Sequence, residues 1–186
     1  MANKVPIRAY HNMQEFEAAV EMATKNAMKS TVNFLKKKLF EMANKDIYDN
    51  AYKATWYVRS NWLKAEDAIE SYIYKNTKNA WGGGVRFNKN VYDNVERNPF
   101  QHGNPDRYLP MNSYLEIMND SSKLHENPWH FPTHSEIDRG HFYDEFLEKV
   151  NDPEIGFDAL FKAFFDARTK QEATGRVVMP NLPKWD

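Results

Sequence analysis

The chain has no cysteine among its 186 residues. This absence excludes disulfide bridges, thiolate nucleophiles and metal sites built on thiolates. The chain also has no stretch that approaches the roughly 20 apolar residues of a membrane span, and its first residues do not form the apolar segment of a signal peptide. We therefore expect a protein that is made and used in an aqueous compartment, with the cytoplasm as the expected place of synthesis.

An excess of charge of either sign is also missing. The sequence holds 25 basic and 26 acidic residues, which gives a formal net charge of -1. Such a chain has no overall field that attracts nucleic acid or an anionic membrane, so a free DNA-binding protein is disfavoured. Hydrophobic residues make up 41% and aromatic residues 15%. The first value is typical of a single globular domain, and the second supplies large rings for contacts with partners.

Motifs that carry catalysis are missing as well. The glycines that follow Trp81 lack the frame of a phosphate-binding loop, and no serine lies in a nucleophile elbow. Zinc could be held by the densest group of imidazoles and carboxylates, but Pro132 interrupts the helix that its first two histidines would need. That group consists of His130, His134, Glu136, Asp138 and His141. We predict no enzyme, no metal and no cofactor, and a metal-dependent enzyme is the least favoured alternative.

The strongest pattern that is present is helical and lies near the N-terminus. Asn12 and Glu15 are spaced like a capping box, which is typical of a helix start. The apolar positions that follow recur mostly at intervals of three, four or their sums. They are Phe16, Val20, Ala23, Ala27, Phe34, Leu39 and Met42. The pattern predicts a long helix over residues 12–44, with a lysine-rich face from Lys25 to Lys38 that is either solvated or turned toward DNA.

Residues 62–120 are predicted to be rich in strands. Alternation over residues 68–74, the glycines after Trp81 and renewed alternation over residues 85–87 together favour an antiparallel hairpin. An amphipathic helix over residues 62–74 is the competing interpretation. Residues 93–112 contain prolines and few aliphatic side chains, which is typical of a long inserted loop. The segment from Tyr114 to Met118 is a further candidate strand.

The C-terminal part is predicted to hold two short helices within residues 138–170 and an extended arm over residues 177–186. Clusters of phenylalanine and leucine favour the helices, whereas Pro180 and Pro183 favour the arm. Altogether the sequence predicts one α+β domain spanning residues 1–186. Its long N-terminal helix packs on a small antiparallel sheet, followed by the short helices and the arm.

Three short elements resemble a known family when they are taken in order. The run Thr55-Trp56-Tyr57-Val58-Arg59-Ser60 resembles the threonine, arginine and serine element that follows the first helix in the tail-completion, or head-to-tail joining, family of phage neck proteins. Tyr114-Leu115-Glu116-Ile117-Met118 resembles that family's tyrosine and glutamate strand. Pro128-Trp129-His130-Phe131-Pro132 resembles its proline-aromatic segment. Trp56 and Met118 stand where the family usually has glycine.

The resemblance implies a virion subunit of a ring, commonly sixfold, that sits in the neck and is assembled in the host cytoplasm. Its partners would be copies of itself, the head connector or stopper, and the tail tube or tail terminator, with the face from Lys25 to Lys38 as a candidate for contact with DNA in the ring lumen. Another structural protein of a virion or phage-tail-like particle is the alternative. Large or planar side chains anchor interfaces. The candidate contacts are Trp56, Tyr57, Arg59, Trp81, Phe100, Tyr108, Trp129 and Trp185.

Overall fold

A computed structural model of the protein describes residues 10–45, 62–77, 80–94, 115 and 142–185. A long N-terminal helix packs on a two-stranded antiparallel sheet and is followed by short C-terminal helices, so the predicted α+β class is confirmed. In chain order the elements are α1 (Met13–Asn44), a 3-10 turn (Trp62–Lys64), β1 (Ile69–Thr77), β2 (Ala80–Phe87), α2 (Lys89–Asn94), α3 (Phe142–Asn151) and α4 (Phe157–Thr174).

The described residues form two compact units. The first contains residues 10–35, 71–77, 80–85 and 148–185, and the second contains residues 36–45, 62–70, 86–94, 115 and 142–147. Each unit has its own buried side chains. Ala27, Val32 and Leu160 are buried in the first, and Leu39, Trp62 and Phe142 in the second.

Helix α1 begins as its sequence predicts. The Glu15 amide donates to Oδ1 of Asn12 at 2.9 Å, and the His11 amide donates to Oε2 of Glu15 at 3.1 Å. The first bond satisfies a donor that the first turn of a helix leaves without an intrahelical partner, and the second ties the residue before the cap to that turn. The predicted helix over residues 12–44 is confirmed to within a residue.

Within the first unit, α1 meets the hairpin at very close range. A Cβ placed on Gly83 would lie 2.9 Å from Cγ1 of Val32 and 2.7 Å from the Tyr72 carbonyl oxygen. The position therefore requires glycine, because any side chain would push the sheet away from the helix. Beside this contact Ser71 donates from Oγ to Oδ1 of Asn33 at 2.7 Å. The hairpin is thus fixed to α1 by packing and by a hydrogen bond.

Within the second unit, aromatic rings surround Trp62. Its ring meets Tyr92 edge to face with centroids 5.2 Å apart, and Phe87 with centroids 6.1 Å apart. A backbone hydrogen bond joins the segment before β1 to the segment after β2, since the Asn88 amide donates to the Ala68 carbonyl at 2.8 Å. Edge-to-face pairs of this kind add to the stabilisation from burial.

Four sequence predictions need correction. The alternative helix over residues 62–74 is wrong, because β1 begins at Ile69. Residues 93 and 94, predicted as loop, close α2, which is supported by an ion pair between Lys89 and Asp93 one turn apart. Leu115, predicted in a strand, is helical; the three-residue step from Leu115 to Met118 suits a helix as well as a strand. The last helix continues past residue 170 to Thr174. Predictions for residues 46–61, 95–112 and 138–141 lie outside the described residues.

Candidate functional site

Two of the eight predicted contact residues, Trp81 and Trp185, lie in the part of the chain that the structure describes. The other six lie outside it: Trp56, Tyr57, Arg59, Phe100, Tyr108 and Trp129. Both of these tryptophans contact their own chain. Trp81 contacts lysines of α1 and β1, and Trp185 contacts Phe34 and the Ile155 carbonyl. The most exposed apolar side chains belong to other residues.

Trp81 lies on β2 and is half-buried. The ammonium groups of Lys25 and Lys75 lie 5.3 and 5.5 Å from the centroid of its ring. Lys75 also forms an ion pair with Glu21 on α1. A cation over the face of an indole is attracted by the ring quadrupole. This cluster therefore holds the hairpin against the first half of α1.

Trp185 fixes the end of the C-terminal arm, residues 177–185. It is 9% exposed, and its Nε1–H donates to the Ile155 carbonyl at 2.7 Å. Its ring meets Phe34 of α1 edge to face, with centroids 5.8 Å apart. The indole thus joins the arm to α1 and to the turn before α4. Trp185 was predicted as a contact for partners; the structure shows its contacts within the chain, and its contact with other proteins stays a prediction.

The start of the arm is set by the end of α4. Gly175 has a φ of 65°, and its amide donates to the Gln171 carbonyl at 2.7 Å. This left-handed cap turns the chain out of the helix, as glycine does at many helix ends. Beyond it, exposed and partly buried residues alternate from 177 to 182. Val177 and Met179 are each 82% exposed. An extended segment held at both ends thus presents aliphatic side chains to solvent.

The first three turns of α1 present a second apolar surface, the N-terminal stripe, formed by Met13, Phe16 and Val20. Their exposed fractions are 69%, 47% and 37%. Positions three and four apart lie on one helix face, so the stripe continues the face of Ala23 and Ala27, which are buried. The apolar face of α1 therefore extends beyond the part that the other described residues bury.

The outer face of the hairpin carries a third, aromatic surface. Tyr72 and Tyr74 are exposed, and their rings lie nearly parallel with centroids 6.3 Å apart. A Cβ on Gly84 would lie 2.9 Å from the Tyr72 hydroxyl, and one on Gly82 would meet the ring of Tyr74. The rings therefore lean across β2 at Gly82 and Gly84, where that strand has no side chains.

The charges around these surfaces differ in sign. Residues 13–22 carry Glu15, Glu17 and Glu21 and no basic residue, whereas residues 176–185 carry Arg176 and Lys184 and no acidic residue. On the lysine-rich face of α1, Lys37 and Lys38 form ion pairs with Glu41. That face is therefore partly neutralised by the chain itself, and its contact with DNA stays a prediction.

The predicted zinc ligands His130, His134, Glu136, Asp138 and His141 lie outside the described residues. Among the residues that are described, no three histidines or carboxylates come together to hold a metal ion. Over the same residues, none of the helices combines the length and the apolar character that crossing a bilayer requires.

Comparisons with known proteins give no relative for this chain: no family model, no curated protein and no solved structure matches it.

Proposed function

We propose that this chain is a non-enzymatic structural subunit of a tailed bacteriophage, and that copies of it form a neck or tail-completion ring that joins the head connector to the tail tube. The observation that carries the proposal is the grouping of exposed apolar side chains. Of the ten large hydrophobic residues that are exposed in the described chain, five lie in the N-terminal stripe or in the arm. Clustered apolar surface of this kind marks contacts between proteins.

The presence of two different apolar surfaces supports a ring in particular. A closed ring of identical subunits is built from a heterologous contact, in which one surface of each copy meets a different surface of the next. The N-terminal stripe and the C-terminal arm differ in conformation and in the sign of their charge. They are therefore suited to a head-to-tail contact rather than to a contact of one surface with itself.

The order of the resembling elements supports the neck as the location of that ring. The element at residues 55–60 follows α1, and the proline-aromatic element at residues 128–132 precedes α3 and α4. This is the order implied by the phage neck family. The proposed partners are copies of the chain, the head connector or stopper, and the tail tube or tail terminator.

Particles made without this protein test the proposal. We expect filled heads and tails of normal length that are not joined, visible by negative-stain electron microscopy, and restoration of joined particles when the wild-type gene is supplied in trans. Tails of abnormal length would instead indicate a tail terminator or tube protein. Normal, infectious particles in the absence of the chain would contradict a structural role in the neck.

A further inference from the structure

We infer that the C-terminal arm of one copy docks on the N-terminal stripe of α1 in a neighbouring copy. This inference rests on the proposed function, because it requires that copies of the chain assemble with one another. It goes beyond that function by naming the two surfaces that meet. The occupant of the stripe is thus an extended aliphatic segment flanked by basic residues, supplied by a second copy of this chain.

The stripe is continuous with a surface that the chain buries. Phe16 and Val20 lie on the same face of α1 as Ala23 and Ala27, and those alanines are buried. The exposed stripe therefore extends an interface that the chain already makes with its own helix. A segment laid along residues 13–20 would bury Met13, Phe16 and Val20 in the way that the chain buries the next turns.

The charges beside the stripe and beside the arm are opposite in sign. At helical spacing Glu17 and Glu21 follow one edge of the stripe, whereas Glu15 lies on the far side of α1. Glu21 already pairs with Lys75, so Glu17 is the exposed carboxylate beside the stripe. Exposed Arg176 directly precedes the arm and exposed Lys184 lies near its end, with no acid in residues 176–185. Opposite charges at the rim of an apolar contact fix its register and disfavour wrong partners.

The arm is held in an extended conformation before it binds. Gly175 sets its exit from α4, Trp185 anchors its end through the Ile155 carbonyl, and Pro180 and Pro183 restrict its backbone. A segment that is already extended loses little conformational entropy when it binds. Its outward positions, Val177 and Met179, are the most exposed large hydrophobic residues of the described chain.

The arm does not cover the stripe of its own copy. Val177 and Met179 are each 82% exposed while Phe16 is 47% exposed in the same chain. Phe16 meets Tyr10 edge to face, with centroids 5.4 Å apart, and keeps this exposure beside that contact. Among the described residues, both surfaces thus retain apolar area for contact with other copies. Because the two surfaces differ, the contact is heterologous and repeats from copy to copy until the ring closes.

Engineered cysteines test the contact directly, because the chain has no cysteine of its own. One full-length protein carries Val20→Cys and another carries Met179→Cys, and the two are mixed under mild oxidation. We expect a disulfide-linked pair of chains from the mixture and a ladder of linked chains from the protein that carries both changes. The control replaces Val20→Cys with Met22→Cys, which places an exposed cysteine on the opposite side of α1 and should give no ladder.

Serine substitutions measure the strength of the same contact. Val177→Ser together with Met179→Ser should weaken self-association by roughly a hundredfold, since two aliphatic side chains lose their burial. Met22→Ser is the matched control and should leave association unchanged. Sedimentation velocity of the full-length proteins provides the measurement, and circular dichroism checks that each variant is folded.

A charge swap tests the register. Glu17→Arg and Arg176→Glu should each weaken association by up to about fivefold, and the double variant should recover it. Recovery in the double variant distinguishes a direct pair from a general effect of charge.

The outcomes separate this inference from the proposed function. A ring that forms in the wild-type protein without the disulfide ladder, or that survives the serine substitutions, overturns the inference and leaves the function standing. A disulfide within one chain, an equal ladder from the Met22 control, or loss of tail joining with self-association intact also overturns it. A wild-type chain that stays monomeric, together with normal particles in its absence, overturns both.

Discussion

The two ends of α1 have the same amphipathic pattern and different surroundings. From Ala23 to Ala43 the apolar face is buried, with Val32, Leu35 and Leu39 each at most 3% exposed. From residue 13 to residue 22 no side chain is buried. The difference shows that periodicity predicts which face of a helix is apolar, whereas the rest of the chain decides how much of that face it covers. We assign stability to the covered end and association to the uncovered end.

The largest expected difference in unfolding free energy is between truncation of a side chain at the covered end of α1 and truncation of one at its uncovered end. Leu35→Ala should lower the free energy of unfolding by roughly 2–5 kcal/mol, because it removes buried methyl groups and leaves a cavity. Phe16→Ala should change it by less than about 0.5 kcal/mol, as exposed substitutions usually do. Urea denaturation, followed by far-ultraviolet circular dichroism at a concentration where the protein is monomeric, measures both. Equal losses would mean that the two ends do not differ.

A smaller effect is expected where the hairpin covers α1. Gly83→Ala should cost about 1–3 kcal/mol, since the new Cβ would meet Val32 and the Tyr72 carbonyl and force the strand to shift. Denaturation with urea measures the loss. A neutral Gly83→Ala variant would contradict the close approach of β2 to the helix.

At the arm, Gly175→Ala should cost about 1 kcal/mol, because alanine is strained at a positive φ. Gly175→Asn should cost less, since asparagine adopts this conformation more readily. The order should reverse at Gly83, where the larger asparagine is worse than alanine because space is the limit there. Thermal unfolding of the four variants compares the two sites. If alanine and asparagine rank in the same order of stability at both positions, then Gly175 is not limited by backbone conformation and Gly83 by space, as we expect.

The smallest effect is expected at the cap of the uncovered end. Asn12→Ala removes the acceptor of the Glu15 amide and should destabilise the first turns of α1 by about 0.5–1 kcal/mol. Because those turns are not packed, their amides should exchange faster with deuterium while the global unfolding midpoint stays nearly unchanged. A large shift of the midpoint would indicate that residues 13–22 are part of the cooperative core.

Local patterns in the sequence predicted the elements that depend on neighbours in sequence. The capping pair Asn12 and Glu15, the span of α1, the hairpin around the glycines and the two C-terminal helices all follow from spacing and turn residues. The predicted helix stopped at residue 170, short of the end of α4 at Thr174. Gly175 is the signal for this end, and its positive φ is seen only in the structure. Asp93 was assigned to a loop because a helix as short as α2 has too few turns to show a period.

The candidate surfaces were harder to predict because exposure depends on contacts between distant segments. Phe16 and Val20 belong to the same periodic series as Ala27 and Leu39, so their exposure could not be read from the series. Trp185 was predicted to face partners, and its contacts with Phe34 and the Ile155 carbonyl arise from residues far away in sequence. The arm itself was predicted from its prolines, and the outward side of Val177 and Met179 follows from where its two ends are fixed.

The native mass of the purified chain, alone and with the tail tube protein, tests the central claim most directly. For the proposed neck ring we expect a defined assembly of several 21.9 kDa chains, six in a sixfold ring, formed by the wild-type protein and lost when Val177 and Met179 are both changed to serine. A single 21.9 kDa species at every soluble concentration, with or without the tube protein, would contradict it.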